Sequence, residues 1–130
     1  MYRNIVLLIL LVFLSQIVAA CASQSPSDPA EVVQAFYAAL NDGDLEAAMS
    51  FVSDEVQCRG HCYTNGQEPF RALIQENIAH EDVFEISDLQ VEGDTVTFDY
   101  LITRGASVFA RGVDSVMRVE AGKIAYFEIR

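Results

Sequence analysis

Positive charge is scarce in this 130-residue chain: 8 Lys and Arg stand against 19 Asp and Glu, a formal net charge of −11. Nucleic-acid binding needs clustered cations that displace counterions from phosphates, so a DNA- or RNA-binding role is excluded. Electrostatic docking on an anionic lipid surface fails for the same reason. Histidine, with 2 residues, and cysteine, with 3, are also scarce. Structural zinc takes four ligands, and no second cluster accompanies the one segment rich in such groups, Cys58-Arg59-Gly60-His61-Cys62. No metal and no cofactor is therefore expected. The acids form no like-charge block of the kind that marks an interaction tail; they read as a solvated surface. There is no internal repeat, and long apolar runs are limited to one, from Ile5 to Ala20.

That run has the layout of a secretory signal, with Arg3 before it and the small residues Ala19 and Ala20 at its end. As a helix it would measure about 24 Å at ~1.5 Å per residue. A bilayer core asks for about 20 apolar residues, so a permanent span is marginal. The residues Val18-Ala19-Ala20-Cys21 resemble the lipobox of bacterial lipoproteins. The resemblance implies that residues 1–20 are removed and that Cys21 becomes an acylated first residue, palmitate among its chains. An ordinary cleaved signal or an uncleaved anchor is the alternative, but neither gives a reason for a cysteine at that position. Each buried methylene contributes about 0.8 kcal/mol and stable anchoring takes more than one chain, a condition a diacylated cysteine meets. The expected location is the bacterial cell envelope, with the chain held to a lipid bilayer through Cys21 and facing the extracytoplasmic side. Ala22 does not suggest the aspartate-type signal that retains some lipoproteins at an inner membrane.

Without residues 1–20 the chain keeps all 19 acids and 7 of its bases, a formal charge of −12. Its length suits one small domain. Cys58 and Cys62 form an even pair in a compartment expected to be oxidising, which favours a disulfide. Gly60 between them lets the chain fold back. Free thiols, or a metal site with His61, are the alternatives. A bridge over so short a loop stabilises modestly; its role would be to pin the loop.

Residues 21–29 are the acylated cysteine and a polar, proline-containing tether, and 30–130 the domain. Asp28 is a candidate N-cap and Pro29 a candidate first helical residue. Val32, Val33, Phe36, Tyr37 and Leu40 recur at helical spacing and predict a helix over Ala30–Asn41. Further helices are predicted over Leu45–Val52 and Gln67–Ala79, with a short extended piece around Val56–Cys58. From Val83 the period falls to two. Strands are predicted at Val83–Ile86, Asp88–Val91, Thr95–Thr103, Val108–Val119 and Lys123–Ile129, separated by Gly-containing turns. Helices followed by a strand meander make an α+β fold.

Four stretches resemble the NTF2-like superfamily, which includes SnoaL-like cyclases and ketosteroid isomerases. They are Val33-Gln34-Ala35-Phe36-Tyr37-Ala38-Ala39-Leu40-Asn41-Asp42-Gly43-Asp44-Leu45-Glu46-Ala47-Ala48, Gly66 ahead of the third helix, Val91-Glu92-Gly93-Asp94-Thr95-Val96, and Val116-Met117-Arg118-Val119-Glu120-Ala121-Gly122-Lys123-Ile124. Their order spans residues 30–130. The resemblance implies a cone in which three N-terminal helices pack on a strongly curved antiparallel sheet, with a pocket at the open end. The isomerases use a helix-one tyrosine, a base and a protonated late-strand acid. By the resemblance those positions fall on Phe36, near Gly60 and on Ser115, so isomerase chemistry is disfavoured and no catalytic residue is assigned.

Strand alternation, anchored on Met117 and Val119 facing inward, places Ser115, Val113, Arg111 and Phe109 on the same inner face. On neighbouring strands Val96, Phe98, Tyr100 and Ile102, and Phe127 and Ile129, join them. The expected ligand pocket therefore comprises Phe36, Tyr37, Phe98, Tyr100 and Phe109, together with Arg111, Ser115, Met117 and Phe127. Arg111 stands out, because a guanidinium on an inner face needs an anionic partner; the bland alternative is a rim position or a pair with Glu128 or Asp99. His61 is a candidate acid or base at the mouth, and His80 an exposed loop residue. The expected function is binding of a small apolar or amphipathic molecule, or of a protein partner, without catalysis. The alternative is a SnoaL-like cyclase, isomerase or hydrolase with unusual residues. A homodimer through the convex sheet face, where Leu101 is expected to be exposed, is compatible with either.

Overall fold

The computed structural model describes residues 26–60 and 62–130. The expected signal at 1–20, Cys21, the first part of the tether and His61 lie outside these residues. Among the described residues no helix is long and apolar enough to cross a membrane.

Helix α1 is Pro29–Asn41. It begins where Asp28 accepts hydrogen bonds from the Ala30 and Glu31 amides, at 2.9 and 3.3 Å, satisfying donors that have no helical partner. Its apolar stripe, Val32, Val33, Phe36, Tyr37 and Leu40, is buried. Gly43, at φ +72°, turns the chain, and Asp44 caps the short helix α2, Leu45–Ser50, through the Ala47 amide. Strand β1 is Val52–Arg59, longer than the extended piece expected, and a two-residue β2, Thr64–Asn65, folds back on it. Helix α3 is Gln67–Ala79, with the predicted bounds. The strands β3 (Asp82–Glu92), β4 (Thr95–Arg104), β5 (Ser107–Glu120) and β6 (Lys123–Glu128) complete the chain.

The six strands form one open sheet in the order β2-β1-β6-β5-β4-β3. The meander β3 to β6 is antiparallel, as expected, but β1 runs parallel to β6. The sheet is therefore mixed rather than wholly antiparallel. The helix and meander between β1 and β6 return the chain alongside β1 in the same direction, a pairing that a short hairpin cannot make.

Two aspartates bend the sheet. Asp88 and Asp114 both have positive φ, 52° and 53°, a conformation a short polar side chain tolerates. Register shifts there, between Ser87 and Gln90 and opposite Phe98–Tyr100, mark β-bulges. The first converts two expected strands into one bent strand. At the second, the Asp114 amide donates to Asp99 Oδ1 at 3.0 Å, which supports the extra residue.

The helices pack on the concave face through aromatic contacts. The Phe36 ring lies 5.2 Å from Tyr37 and 6.3 Å from Phe70 of α3, and Phe70 lies 6.2 Å from Phe127. The end of α1 is tied to the edge strand β3, where Asn41 Nδ2 donates to the Phe84 carbonyl and the Phe84 amide donates to Asn41 Oδ1, each at 2.8 Å. Those two backbone groups sit on an open edge, where unpaired strand groups invite other chains. Below them, the buried Asp82 takes a two-pronged ion pair from Arg104, its register partner, at 2.6 and 2.8 Å.

Candidate functional site

A cavity of about 430 Å³ lies between the helices and the far half of the sheet. One wall is helical: Phe36, Tyr37 and Leu40 from α1, and Leu73, Ile74 and Asn77 from α3. The facing wall is Phe84, Tyr100 and Ile102, with Phe127 and Ile129 closing one side. Cys62 and the segment Phe109–Arg111 complete the lining.

Of the residues expected in the pocket, Phe36, Tyr37, Tyr100, Phe109, Arg111 and Phe127 line this cavity. Phe98, Ser115 and Met117 do not: they are fully buried in the core on the other side of the Asp114 bulge. Phe98 packs on Tyr37 at 5.7 Å, and the Ser115 hydroxyl accepts from the Arg130 amide at 3.3 Å. Val113, also expected inward, is 63% exposed. The cause is the bulge, since one extra residue exchanges the two faces of everything beyond it. Past it, Gly112 opposes Tyr100 and Ala110 opposes Ile102, both facing the cavity side. Leu101 is half-buried rather than exposed.

Gly112 is a close-approach glycine. A Cβ there would overlap the Tyr100 ring and the Arg130 carbonyl, so the missing side chain lets the tyrosine lie flat against β5. Phe109, 56% exposed at the mouth, is held by the Arg104 guanidinium 3.9 Å from its ring centroid. Cys58 and Cys62 stand at disulfide distance, with Cα atoms 5.6 Å apart. Bridged, they leave no thiolate for the alternative metal site. Gly60, at φ +80°, lies against the Ile129 carbonyl where no Cβ fits. The loop thus seats Cys62 against the cavity wall, while Cys58 is in the core.

The site's polarity is sparse and specific. No Asp, Glu or His occurs among the described lining residues. Tyr37 is 4% exposed, and neither its hydroxyl nor that of Tyr100 has a hydrogen-bond partner among the described residues. Burial, and secondarily the neighbouring Tyr100, pushes the Tyr37 phenol well above its ordinary range; burial raises Tyr100 also. Both remain neutral donors at any physiological pH. Arg111 is exposed, and its register partner is Leu101, so it adjoins the cavity through its backbone while its side chain lies on the other face of the sheet, against the inward position expected. Neither expected partner holds it: Glu128 is paired with Arg130 and Tyr126, and Asp99 accepts from the Asp114 amide. His80 is exposed beyond α3, with Nε2 3.8 Å from Glu76 Oε1.

Sequence reading missed the α3 wall and the Phe84 and Cys62 contributions. The apolar stripe of α3 was legible, but periodicity does not say which surface a stripe meets.

A SnoaL-like domain family model matches residues 33–127. No curated protein matches the chain. Among solved structures, an uncharacterised cystatin-fold protein from Novosphingobium aromaticivorans superposes with a TM-score of 0.68 at 22% identity, over 81% of this chain and 99% of that one. An NTF2-like protein of unknown function from Cytophaga hutchinsonii gives 0.69 at 18% identity, over 84% and 92%. An LEH-like epoxide hydrolase from Mycobacterium tuberculosis gives 0.62 at 20%, over 77% and 79%. At these identities the likeness is one of fold. Every buried core residue here lies between Val32 and Phe127, so residues 22–130 contain the whole described core.

Proposed function

This chain belongs to the SnoaL-like domain family, and we propose that it is a lipid-anchored extracytoplasmic binding protein whose cavity holds a small apolar or amphipathic molecule without transforming it. The observation that carries the reading is the lining: a cavity of about 430 Å³, within the ~300–1,000 Å³ range of small-molecule sites, walled by aromatic and aliphatic side chains. A concave apolar cavity of that size favours a small molecule over a protein partner. The enzymatic alternative draws on Tyr37 and Tyr100 as neutral donors able to polarise a carbonyl, but the described lining supplies no proton acceptor to work with them.

Anchoring through Cys21 is part of the proposal, and the chain's geometry is compatible with it. Pro26, the first described residue, lies against Phe51 and Gly122. The cavity mouth at Arg111 lies eight residues along β5 from Val119, about 26 Å at ~3.3 Å per residue. A tether leaving at Pro26 would hold the mouth away from the membrane and open to the aqueous side.

Native mass spectrometry of residues 22–130, exported to an oxidising compartment and purified gently, tests the reading. The expected spectrum carries a co-purifying small molecule and the two-proton mass loss of the Cys58–Cys62 bridge, and it counts subunits, which tests the homodimer. Turnover of a co-purified molecule would overturn the non-catalytic reading. Release of acylated peptide from the full chain in its host tests the anchor.

A further inference from the structure

Phe109 belongs at once to the cavity and to the surface: it lines the cavity and is 56% exposed. It is also the extra residue of a second bulge in β5. Ile102 opposes Ala110 and Thr103 opposes Val108, so Phe109 has no register partner between them, and a bulge leaves its extra residue outside the ladder. The contact that holds the ring is the Arg104 guanidinium, 3.9 Å from its centroid. That guanidinium is fixed from behind. Its Nε and one terminal nitrogen donate to the two oxygens of Asp82 at 2.6 and 2.8 Å, and the Asp82 side chain is wholly buried. Asp82 and Arg104 are register partners, and Phe84 and Ile102, two positions along each strand, line the cavity. Alternation puts both pairs on one face. The ring stacked on Arg104 therefore lies on the cavity side, unlike the Arg111 side chain.

Resting on the binding reading above, we propose that Phe109 is a gate across the cavity mouth and that Arg104, anchored on Asp82, is its latch. The gate has two states. Closed, the ring stands at the mouth and stacks on the guanidinium. Open, it turns into water, where more than half of it already is, while Asp82 keeps Arg104 in place. Opening therefore gives up one cation–aromatic contact, which at a half-exposed site corresponds to about five- to tenfold in an equilibrium. A bias that small lets the ring leave and return without unfolding the sheet. The Arg104 charge is met by Asp82 in both states, so an apolar guest passes no unpaired charge of this pair. Arg104 is a positioning residue; Phe109 is the side chain that meets the guest.

The test is stopped-flow binding of the neutral fluorophore N-phenyl-1-naphthylamine to residues 22–130, which hold the whole described core. It compares the parent with Phe109→Ala, Phe109→Tyr and Arg104→Lys, each confirmed folded by circular dichroism. Removing a gate speeds both directions. Phe109→Ala should raise the association and dissociation rates together by about five- to tenfold, with Kd held within about threefold. Phe109→Tyr keeps the ring and should keep the parental rates. Arg104→Lys keeps a cation on Asp82 but loses the flat face, so both rates should rise in part, with no further rise when it is added to Phe109→Ala. A fluorophore that enters Phe109→Ala and not the parent would equally be the signature of a gate. Faster dissociation alone in Phe109→Ala, or unchanged rates, would overturn the gate and leave the binding reading standing. Failure of the fluorophore to bind any of the folded proteins would overturn both.

Discussion

Alkali should unfold this domain through Tyr37. The ring is 4% exposed and packed among Phe36, Phe84 and Phe98 at 5.2, 5.6 and 5.7 Å, and burial holds its phenol far above the usual value of 10.0. In the unfolded chain the phenol ionises near pH 10; in the folded domain it does not. Above pH 10 the unfolded state therefore binds fewer protons, and stability falls as pH rises. The contribution is intact below the unfolded pKa and is lost at up to ~1.4 kcal/mol per pH unit per protected phenol. At pH 11 Tyr37 alone should cost about 1.4 kcal/mol, with Tyr100 adding a smaller amount. Urea unfolding of residues 22–130, followed by circular dichroism at pH 9, 10 and 11, reads this directly. Tyr37→Phe should remove most of the slope. At pH 7 it should change stability by less than about 1 kcal/mol, because the deleted hydroxyl leaves no described partner stranded. Equal slopes in the parent and Tyr37→Phe would refute the reasoning, as would a tyrosinate absorbance titration complete before unfolding.

Gly112→Ala should expel the Tyr100 ring from its seat, cost about 1–3 kcal/mol as an overpacked core position does, and weaken N-phenyl-1-naphthylamine binding; a variant with parental stability would mean the Tyr100 ring moves freely. Asn41→Ala removes both side-chain bonds to Phe84 and should cost about 1–2 kcal/mol, less than full burial would give because water reaches that edge; hydrogen exchange at the Phe84 amide should accelerate in step, and unaltered protection there would count against the tie. Arg104→Gln should lower the urea midpoint more than Asp82→Asn, because it strands a buried carboxylate whereas the reverse change frees a guanidinium that solvent can reach; the opposite ranking would show that Asp82 is hydrated.

Much of the fold is legible because its signals are local. Asp28 and Pro29 mark a helix start that any reader of caps would place, and Gly66 opens α3 where Gln67 begins it. The Cys58–Cys62 pairing follows from spacing and an intervening glycine. What eludes the pattern is partnership. The direction of β1 beside β6 depends on a contact between residues more than sixty positions apart, such as Cys58 and Phe127, and nothing near either residue records it. The site is legible in part for a similar reason. Tyr37, Tyr100 and Phe127 lie on stripes whose phase is unbroken from the core, whereas Val113 is assigned to the wrong face because parity is carried across a bulge.

The bulges that defeat the parity rule also mark where the cavity begins. The most deeply buried positions of β4 and β5, Val96, Phe98, Ser115, Met117 and Val119, lie on one side of Asp114 and its register shift. The lining positions Tyr100, Ile102, Phe109, Ala110 and Arg111 lie on the other. On β3, Phe84 lies beyond Asp88 in the same sense. A bulge bends its strand and increases its twist. Below the two aspartates side chains fill the space against α1; above them Asn41 and Tyr37 still meet Phe84, and the cavity lies between those contacts, α3 and the β4–β5 end. Apolar residues that would be core in a flatter sheet become walls. Deleting Asp114 removes the extra residue and should leave Gly112 opposite Tyr100 and every face unchanged, while straightening β5 and closing the space that binds an apolar fluorophore. If a folded deletion variant still binds N-phenyl-1-naphthylamine as the parent does, the bend is not what makes the site.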